Sequence, residues 1–410
     1  MKVAVFGAGM MARAAVFDLV RQPDVTEVRV ADREPRALAS LRRFVGGRKL
    51  RPVEADAADL EAAEEFICGT DVAVSCVPYP LNFGLAEAAI ACGAHFCDLG
   101  GNNDAVADEL GLDRRARRAG VTLVPDCGLA PGLVGVIAAD AVGRLDRCES
   151  LRLRVGGLPR RPKPPFGYGI VFSAEGLVNE YAEPCRVLRR GRARTVPPLA
   201  DLETLSFPPL GRLEAFSTSG GVSTLTETLR GVVRELDYKT IRYPGHCAKV
   251  RPLFELGLAS TEPVTIGRAS VAPRELLVRR LEAALGFERD DLVLLRVDAA
   301  GTRRGRPARL RYRLFDRADR RTGLTAMMRC TGFPVALAAL TLGRGLAFRA
   351  GALPGELAFE PGPYLAGLRE RGLRLTVRPG RGQPRPRTQP PRRRGGNARS
   401  NAPANRPGRT

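Results

Sequence analysis

Gly7, Gly9 and Ala12 stand at the spacing Gly-x-Gly-x-x-Ala in the run Gly7-Ala8-Gly9-Met10-Met11-Ala12, and Asp32 follows 23 residues after Gly9. Glycines so spaced let backbone N–H groups close on a pyrophosphate at a helix N-terminus, and an acid about 20 residues on accepts from both ribose hydroxyls. The charge of Asp32 repels a 2′-phosphate, which favours NAD. Arg33 beside it can stack on adenine or grip a phosphate, which leaves NADP open. Only two histidines are present, His95 and His246, and the nine cysteines form no CxxC pair, so no metal site is expected. Most cysteines lie inside apolar runs, as Cys76 does in DVAVSCVP, and read as reduced thiols acting as small hydrophobes rather than as disulfides.

The elements around the glycines are those the chemistry requires. KVAVFG (2–7) reads as a buried parallel strand, RAAVFDLVRQ as a helix and EVRVAD as a second strand ending at Asp32. The rhythm continues with a strand RPVEAD ending at Asp56, a helix ADLEAAEEFIC and a strand DVAVSCVPY ending at Tyr79. A helix NFGLAEAAIACG, a strand HFCDLG, one basic helix over 106–119 and a strand VTLVPD follow. In such sheets ligands sit beyond the carboxyl ends of the strands, so 76–79, 98–102 and 125–131 should face one crevice. After Pro131 the texture changes. LVGVIAADAV reads as an apolar helix, whereas ESLRLRVGGLP, CRVLRRG, GRLEAFS, LDYKTIRY, DLVLLRVDAAG and ARLRYRLFD alternate like strands of a half-exposed antiparallel sheet. TAMMRCTGFPVALAALTLGRG and PYLAGLRERG read as helices. The fold class is α/β: a doubly wound Rossmann sheet plus an inserted α+β domain with a mostly antiparallel sheet.

The chain has 410 residues, Lys+Arg 65 against Asp+Glu 44, and a net charge of +21. Sixty of the basic residues are Arg, a bias of composition rather than of binding. Nine lie from Arg381 onward with no acid among them, in a Pro-, Gly- and Asn-rich tail without apolar periodicity that reads as disordered. Nucleic acid is not an expected partner, beyond weak contact through that tail. No uninterrupted apolar run of about 18 residues is present, so no membrane span is expected. The first residues run straight into the fingerprint strand, so no signal peptide is expected, and the protein is expected in the cytoplasm.

Further blocks carry a resemblance. GAGMMA (7–12), DVAVSCVPY (71–79), CGAHFCDLGG (92–101), VTLVPDCGLAPG (121–132), VGGLPRRPKPPFGYGIVFSAEGLVNEY (155–181), AFSTSGG (215–221), LDYKTIRYPGH (236–246) and TGLTAMMRCTGFP (322–334) resemble the saccharopine dehydrogenase family over residues 1–377. The long 155–181 block is most similar to the lysine 6-dehydrogenase branch. The resemblance implies an NAD(P)-binding Rossmann domain over 1–127, a catalytic and dimerisation domain over 128–330, and helices over 331–378 returning to the first domain, with the tail at 379–410. It also implies a homodimer, an amino-acid substrate, and hydride transfer between a nicotinamide and a carbon bearing nitrogen. For lysine that is oxidative ε-deamination; saccharopine and carboxynorspermidine are the sister substrates. A protein that kept the nucleotide site without turnover is the reading from another class.

Within that chemistry, an ammonium cannot expel hydride, so a base must take its proton. His246, presented after a Pro-Gly turn, and Asp126 compete for that role. Arg242 is placed to bind an α-carboxylate bidentately, with Tyr243 and Asp98 as further substrate ligands. Tyr79 should lie at the substrate edge, and Cys76, Val77 and Pro78 resemble the stretch beneath the nicotinamide. Asp56 should reach toward adenine. Lys239 and His95 read as structural, and Cys127 has no partner base that would make it a nucleophile.

Overall fold

The computed structural model describes residues 1–379 and Gly408. The tail expected over 379–410 therefore lies outside the described residues, apart from Pro379 and Gly408. The first domain is built from β1 (Lys2–Phe6), α1 (Met10–Leu19), β2 (Glu27–Asp32), α2 (Pro35–Val45), β3 (Leu50–Glu54), α3 (Leu60–Ile67), β4 (Val72–Ser75), α4 (Asn82–Ala91), β5 (His95–Asp98), α5 (Asn103–Gly111), α6 (Asp113–Ala119) and β6 (Thr122–Val124). After α7 (Val134–Gly143) the chain forms β7 (Arg147–Pro159), α8 (Ala174–Ala182), β8 (Cys185–Arg189), β9 (Arg192–Val196), β10 (Glu203–Phe207), β11 (Gly211–Ser217), α9 (Leu225–Thr228), β12 (Val233–Arg242) and α10 (His246–Glu255). Then come β13 (Val264–Ile266), β14 (Ala269–Val271), α11 (Pro273–Leu285), β15 (Asp291–Arg303), β16 (Arg306–Arg317), α12 (Ala326–Gly343), β17 (Gly351–Ala352), α13 (Gly355–Ala358), α14 (Pro361–Glu370) and β18 (Thr376–Pro379).

The first sheet has seven parallel strands in the order β17-β6-β5-β4-β1-β2-β3. Its central strands are apolar at almost every position because both faces are covered. Val3 and Val5 turn toward α1, α2 and α12, while Ala4 and Phe6 turn toward α3, α4 and α6. The second sheet runs β10-β11-β12-β7-β15-β16-β18, with β8 joining β12 to β9. Its neighbours are antiparallel except β7 and β12, which run parallel. One face, including Leu153, Tyr238, Leu295 and Val297, continues the core of the first domain. The other packs Leu158, Phe207, Ile241 and Leu294 into a separate cluster.

α12 is apolar all round because protein surrounds it. At 18 residues it is long and apolar enough to cross a membrane, but here it is a buried core helix. Thr325 caps it by accepting from the Met328 N–H, and the buried Asp291 carboxylate accepts from the N–H groups of Ala326 (2.5 Å) and Met327 (2.9 Å). It lies against α1 so closely that a Cβ on Gly332 would stand 2.6 Å from the Ala14 Cβ and 2.7 Å from the Met11 carbonyl oxygen.

Several sequence expectations need correction. β4 ends at Ser75 rather than Tyr79, because Pro78 and Pro80 have no N–H for a ladder, and Tyr79 opens a short 3-10 turn instead. β3 ends at Glu54, leaving Asp56 in the turn beyond it. The helix expected over 106–119 is two, α5 and α6, broken at Leu112. Cys68 and Cys92 form a disulfide, contrary to the reduced state expected for all nine cysteines. They sit just past the ends of α3 and α4, two packed helices whose adjacency brings thiols 24 residues apart together.

Candidate active site

The fingerprint turn is shaped by close approach. Gly7 has φ +96°, and a Cβ there would lie 2.9 Å from the Cys76 carbonyl oxygen and 3.3 Å from the Val77 side chain. Among the described residues, nothing lies within 4 Å of where a Gly9 Cβ would be and no side chain caps α1, which Gly9 precedes. The first-turn N–H groups, those of Met10, Met11 and the buried Ala12 among them, are thus left for an anion. Asp32 is fixed beside the turn: Oδ2 accepts from the Ala8 N–H (2.7 Å) and Oδ1 from the Glu34 N–H (2.8 Å). Carboxylate oxygens retain further lone pairs, so both stay competent toward ribose hydroxyls. These residues fit a dinucleotide. Arg33 is exposed next to Asp32, and Cys76, Val77 and Pro78 form the loop that follows β4. Asp56 is exposed and accepts from the Ala58 N–H, which makes it a turn-capping group in this structure.

The carboxyl ends of β5 and β6 bring Asp98 and Asp126 together. Asp98 is fully buried, and its Oδ1 accepts from the N–H groups of Gly100 (2.5 Å) and Asp126 (3.2 Å). Asp126 holds a left-handed backbone, φ +63°, and its Oδ2 accepts from the Ser223 hydroxyl, which arrives from the second domain. The glycines of DLGG and LAPG follow from this packing: a Cβ on Gly100 would overlap Asp126 Oδ1, and one on Gly132 would stand 2.7 Å from the Asp126 carbonyl. Tyr79 packs its ring over Gly101 on the same edge.

Behind Asp98 lies Glu109, on α5, fully buried. Burial, and then the charge of Asp98, push the Glu109 carboxyl up to about 11, so it holds a proton at neutral pH. Burial also raises Asp98, and burial followed by Asp98 raises Asp126 well above the ordinary carboxylate range. A carboxyl raised on folding gives stability that is complete below its unfolded value and is lost as pH climbs toward the folded one. Glu109→Gln removes that titration. The variant is expected to match the parent near pH 4 and to become the more stable of the two as pH rises to 9, by up to about 1 kcal/mol per pH unit. Urea unfolding at the two pH values measures this, and an equal difference at both sinks it.

β12 sorts its side chains by the two-residue period. Tyr238 and Arg242 turn to one face, and Lys239, Ile241 and Tyr243 to the other. Tyr243 therefore leaves the substrate set expected from sequence: its hydroxyl donates to the Pro159 carbonyl oxygen at 3.0 Å, beside the Leu158 cluster. Lys239 pairs with Glu203 at 3.1 Å on that same face.

Arg242 and His246 share Tyr181. Arg242 Nε donates to the Tyr181 hydroxyl oxygen (2.9 Å), Nη1 to the Ile241 carbonyl (3.0 Å), and Nη2 lies 3.7 Å from Glu180. The Tyr181 hydroxyl in turn meets His246 Nε2 at 3.0 Å, and His246 Nδ1 meets the Phe166 carbonyl at 3.0 Å. A carbonyl only accepts, so Nδ1 carries the proton and Nε2 accepts from Tyr181. Both ring nitrogens are thereby occupied. The imidazole is 2% exposed and stacked on Phe216, and burial followed by the Arg242 charge pushes it down to about 3. His246 thus opens α10 inside an aromatic cluster rather than standing on the loop expected from sequence, with both ring nitrogens bonded. His95 accepts from the Thr122 N–H and is structural, and Cys127 is buried with its thiol raised well above its ordinary value by burial.

Sequence reasoning missed Glu109, Glu180, Tyr181 and Ser223. Glu180 and Tyr181 stand within the NEY of the resembling block but carry no role there, while Glu109 looks like any acid of an exposed helix.

Fold and cradle together define a two-domain chain of the dinucleotide-binding kind. Residues 3–124 match the saccharopine dehydrogenase NADP binding domain, and residues 128–373 match the saccharopine dehydrogenase C-terminal domain. The chain belongs to the saccharopine dehydrogenase family, and its first domain binds NAD(P). It is 22% identical over 309 residues to the NADP(+)-dependent, L-glutamate-forming saccharopine dehydrogenase of Saccharomyces cerevisiae, covering 71% of this chain and 66% of that one. Against the mitochondrial alpha-aminoadipic semialdehyde synthase of Bos taurus it is 24% identical over 283 residues, covering 64% of this chain and 29% of the relative. The chain thus spans just under two thirds of the yeast relative's length and under a third of the bovine one. In structure it is similar to apo saccharopine dehydrogenase from Saccharomyces cerevisiae, with TM-score 0.76 and 19% identity over 93% of this chain and 100% of that one. It is also similar to a homospermidine synthase from Legionella pneumophila in complex with NAD, with TM-score 0.66 and 13% identity over 95% of each chain. At these identities the likeness is one of fold.

Proposed function

We propose that the protein is an NAD(P)-dependent dehydrogenase acting on a CH–NH group of an amino acid, with oxidative ε-deamination of L-lysine as its reaction. The observation that carries this reading is Asp126: a buried carboxyl in a left-handed turn at the carboxyl edge of the dinucleotide sheet, bonded to Ser223 of the second domain. NAD(P)+ supplies the hydride acceptor. The chain supplies a place for the proton that the ammonium must lose first. Asp126 takes it in its ionised form, which burial and the charge of Asp98 make a stronger base than an ordinary carboxylate. The same group, once charged again, can activate water against the imine. Asp32 favours NAD over NADP by repelling a 2′-phosphate.

The second reading is oxidation of saccharopine, supported by the names of the curated relatives. Absorbance at 340 nm with purified protein, NAD+ or NADP+, and L-lysine or saccharopine separates the two. Reduction with lysine is expected. Reduction with saccharopine alone moves the protein to the second reading, and silence with both in either direction of reaction defeats the dehydrogenase proposal.

A further inference from the structure

Cys68 caps the C-terminus of α3 and Cys92 that of α4, and their disulfide joins the two helix ends. Glu64 stands one turn before Cys68, which brings its side chain to the same face of α3. A carboxylate oxygen of Glu64 and the two sulfurs all lie within 4.8 Å of one another. Glu64 and Cys68 are exposed and Cys92 is half-buried, whereas six of the other seven cysteines are buried and Cys76 is half-buried.

Three properties of this group suit a metal ion. Two thiolates and a carboxylate are donors that zinc and its soft relatives take. The spacing also fits: a tetrahedral zinc about 2.3 Å from each sulfur holds the two about 3.8 Å apart, close to the contact distance of unbonded sulfurs. The Cα atoms stand 4.9 Å apart, so rotation about the Cα–Cβ bonds opens the sulfurs that far. The third property is the field. Two helix C-termini converge here, and their partial negative charge favours a cation. Arg29 donates to carbonyls at the end of α3, those of Phe66 (3.4 Å) and Cys68 (3.3 Å), but its charge is offset by Glu27 at 2.7 Å.

We propose that the opened Cys68–Cys92 pair, together with Glu64, binds one divalent cation of the zinc class, with water in the fourth position. Disulfide and metal are then alternative ties between the ends of α3 and α4. A dithiol reductant attacks one sulfur, the Sγ–Sγ bond breaks, and the reductant closes to its own disulfide as its two protons pass to Cys68 and Cys92. Metal binding releases those two protons to water. The site stands apart from the reaction proposed above and does not depend on Asp126.

Zinc alone is the probe. Full-length protein, reduced with a dithiol and freed of it without air, is expected to take one Zn2+ per chain from a chromogenic chelator, and the disulfide form none. Bound Zn2+ should shield Cys68 and Cys92 from alkylation, read peptide by peptide by mass spectrometry. Cys68→Ser should abolish uptake. Glu64→Gln should weaken it at least about tenfold, the least that loss of even an outer-shell partner costs. Both positions are exposed, and urea midpoints of the reduced, metal-free variants report that they fold. No uptake by the reduced parent, equal uptake by the disulfide form, unchanged uptake in either variant, or zinc bound while Cys68 and Cys92 alkylate at the metal-free rate overturns the proposal.

Discussion

Asp126→Asn is expected to lower kcat for the amine substrate by roughly 10²–10⁴-fold, the contribution of a positioned general base. Asparagine tolerates the left-handed backbone that position 126 adopts, and its side-chain oxygen can still accept from Ser223. Neutralising the side chain also relieves its repulsion with Asp98 and Glu356, so the fold has no electrostatic reason to weaken. Steady-state kinetics beside an NAD(P)H titration measures the effect: turnover should collapse while dinucleotide affinity stays within a few-fold. The competing assignment has its own signature. If Asp126→Asn keeps parental turnover while His246→Gln loses it without loss of stability, the base is His246 and the hydrogen-bond accounting at its ring nitrogens is wrong.

Gly332→Val should destabilise the protein by about 3 kcal/mol or more, at the upper end of core overpacking. The position has no slack. A Cβ meets the Ala14 Cβ at 2.6 Å, the Met11 oxygen at 2.7 Å and the Ala15 nitrogen at 2.9 Å, and two of those three are backbone atoms that cannot rotate away. α1 and α12 must separate, and α1 is the helix whose first turn faces the pyrophosphate. Dinucleotide affinity should therefore fall with stability, although Gly332 touches no part of the cradle. Gly143→Ala, at the end of α7 where a Cβ would meet nothing within 4 Å, is the matched comparison and should be neutral or slightly stabilising. Similar urea midpoints for the two variants would mean that the contact between α1 and α12 is not rigid.

The first domain is legible in the sequence because its signals are local. Apolar runs bounded by glycine and followed by helical spacing leave few alternatives, and Asp32 lies where the fingerprint places it. Errors fall where local signals conflict: apolar residues continue past Ser75, but Pro78 and Pro80 end the ladder. In the second domain the strand LDYKTIRY is visible, yet its facing is not. Arg242 and Tyr243 look equivalent in sequence, and only the pairing of β12 with β7 and β11 decides which turns to Tyr181 and which to Pro159. His246 attracts the role of base through the ordinary titration of its ring, a property that burial removes. Asp98 and Asp126, 28 residues apart, meet because β5 and β6 are parallel neighbours, which topology implies. Glu109 and the Cys68–Cys92 pair depend on how helices pack across the sheet, and nothing in one sequence reports that.

The order in which the chain is made bears on when it can first hold a nucleotide. The fingerprint strand, turn and helix leave the ribosome long before the helix that backs them, which begins at Ala326, and before the edge strand beside β6, Gly351–Ala352. Arg371 closes an ion pair with Asp18 across 353 positions, at 2.8 Å. Until those segments emerge, α1 shows water the apolar face that α12 will cover, a state prone to aggregation in any cell. A ribosome stalled before position 326 would carry a glycine turn of the right sequence with no rigid helix behind it. The packing behind the nucleotide turn is thus completed only by segments that lie more than 300 residues further along the chain.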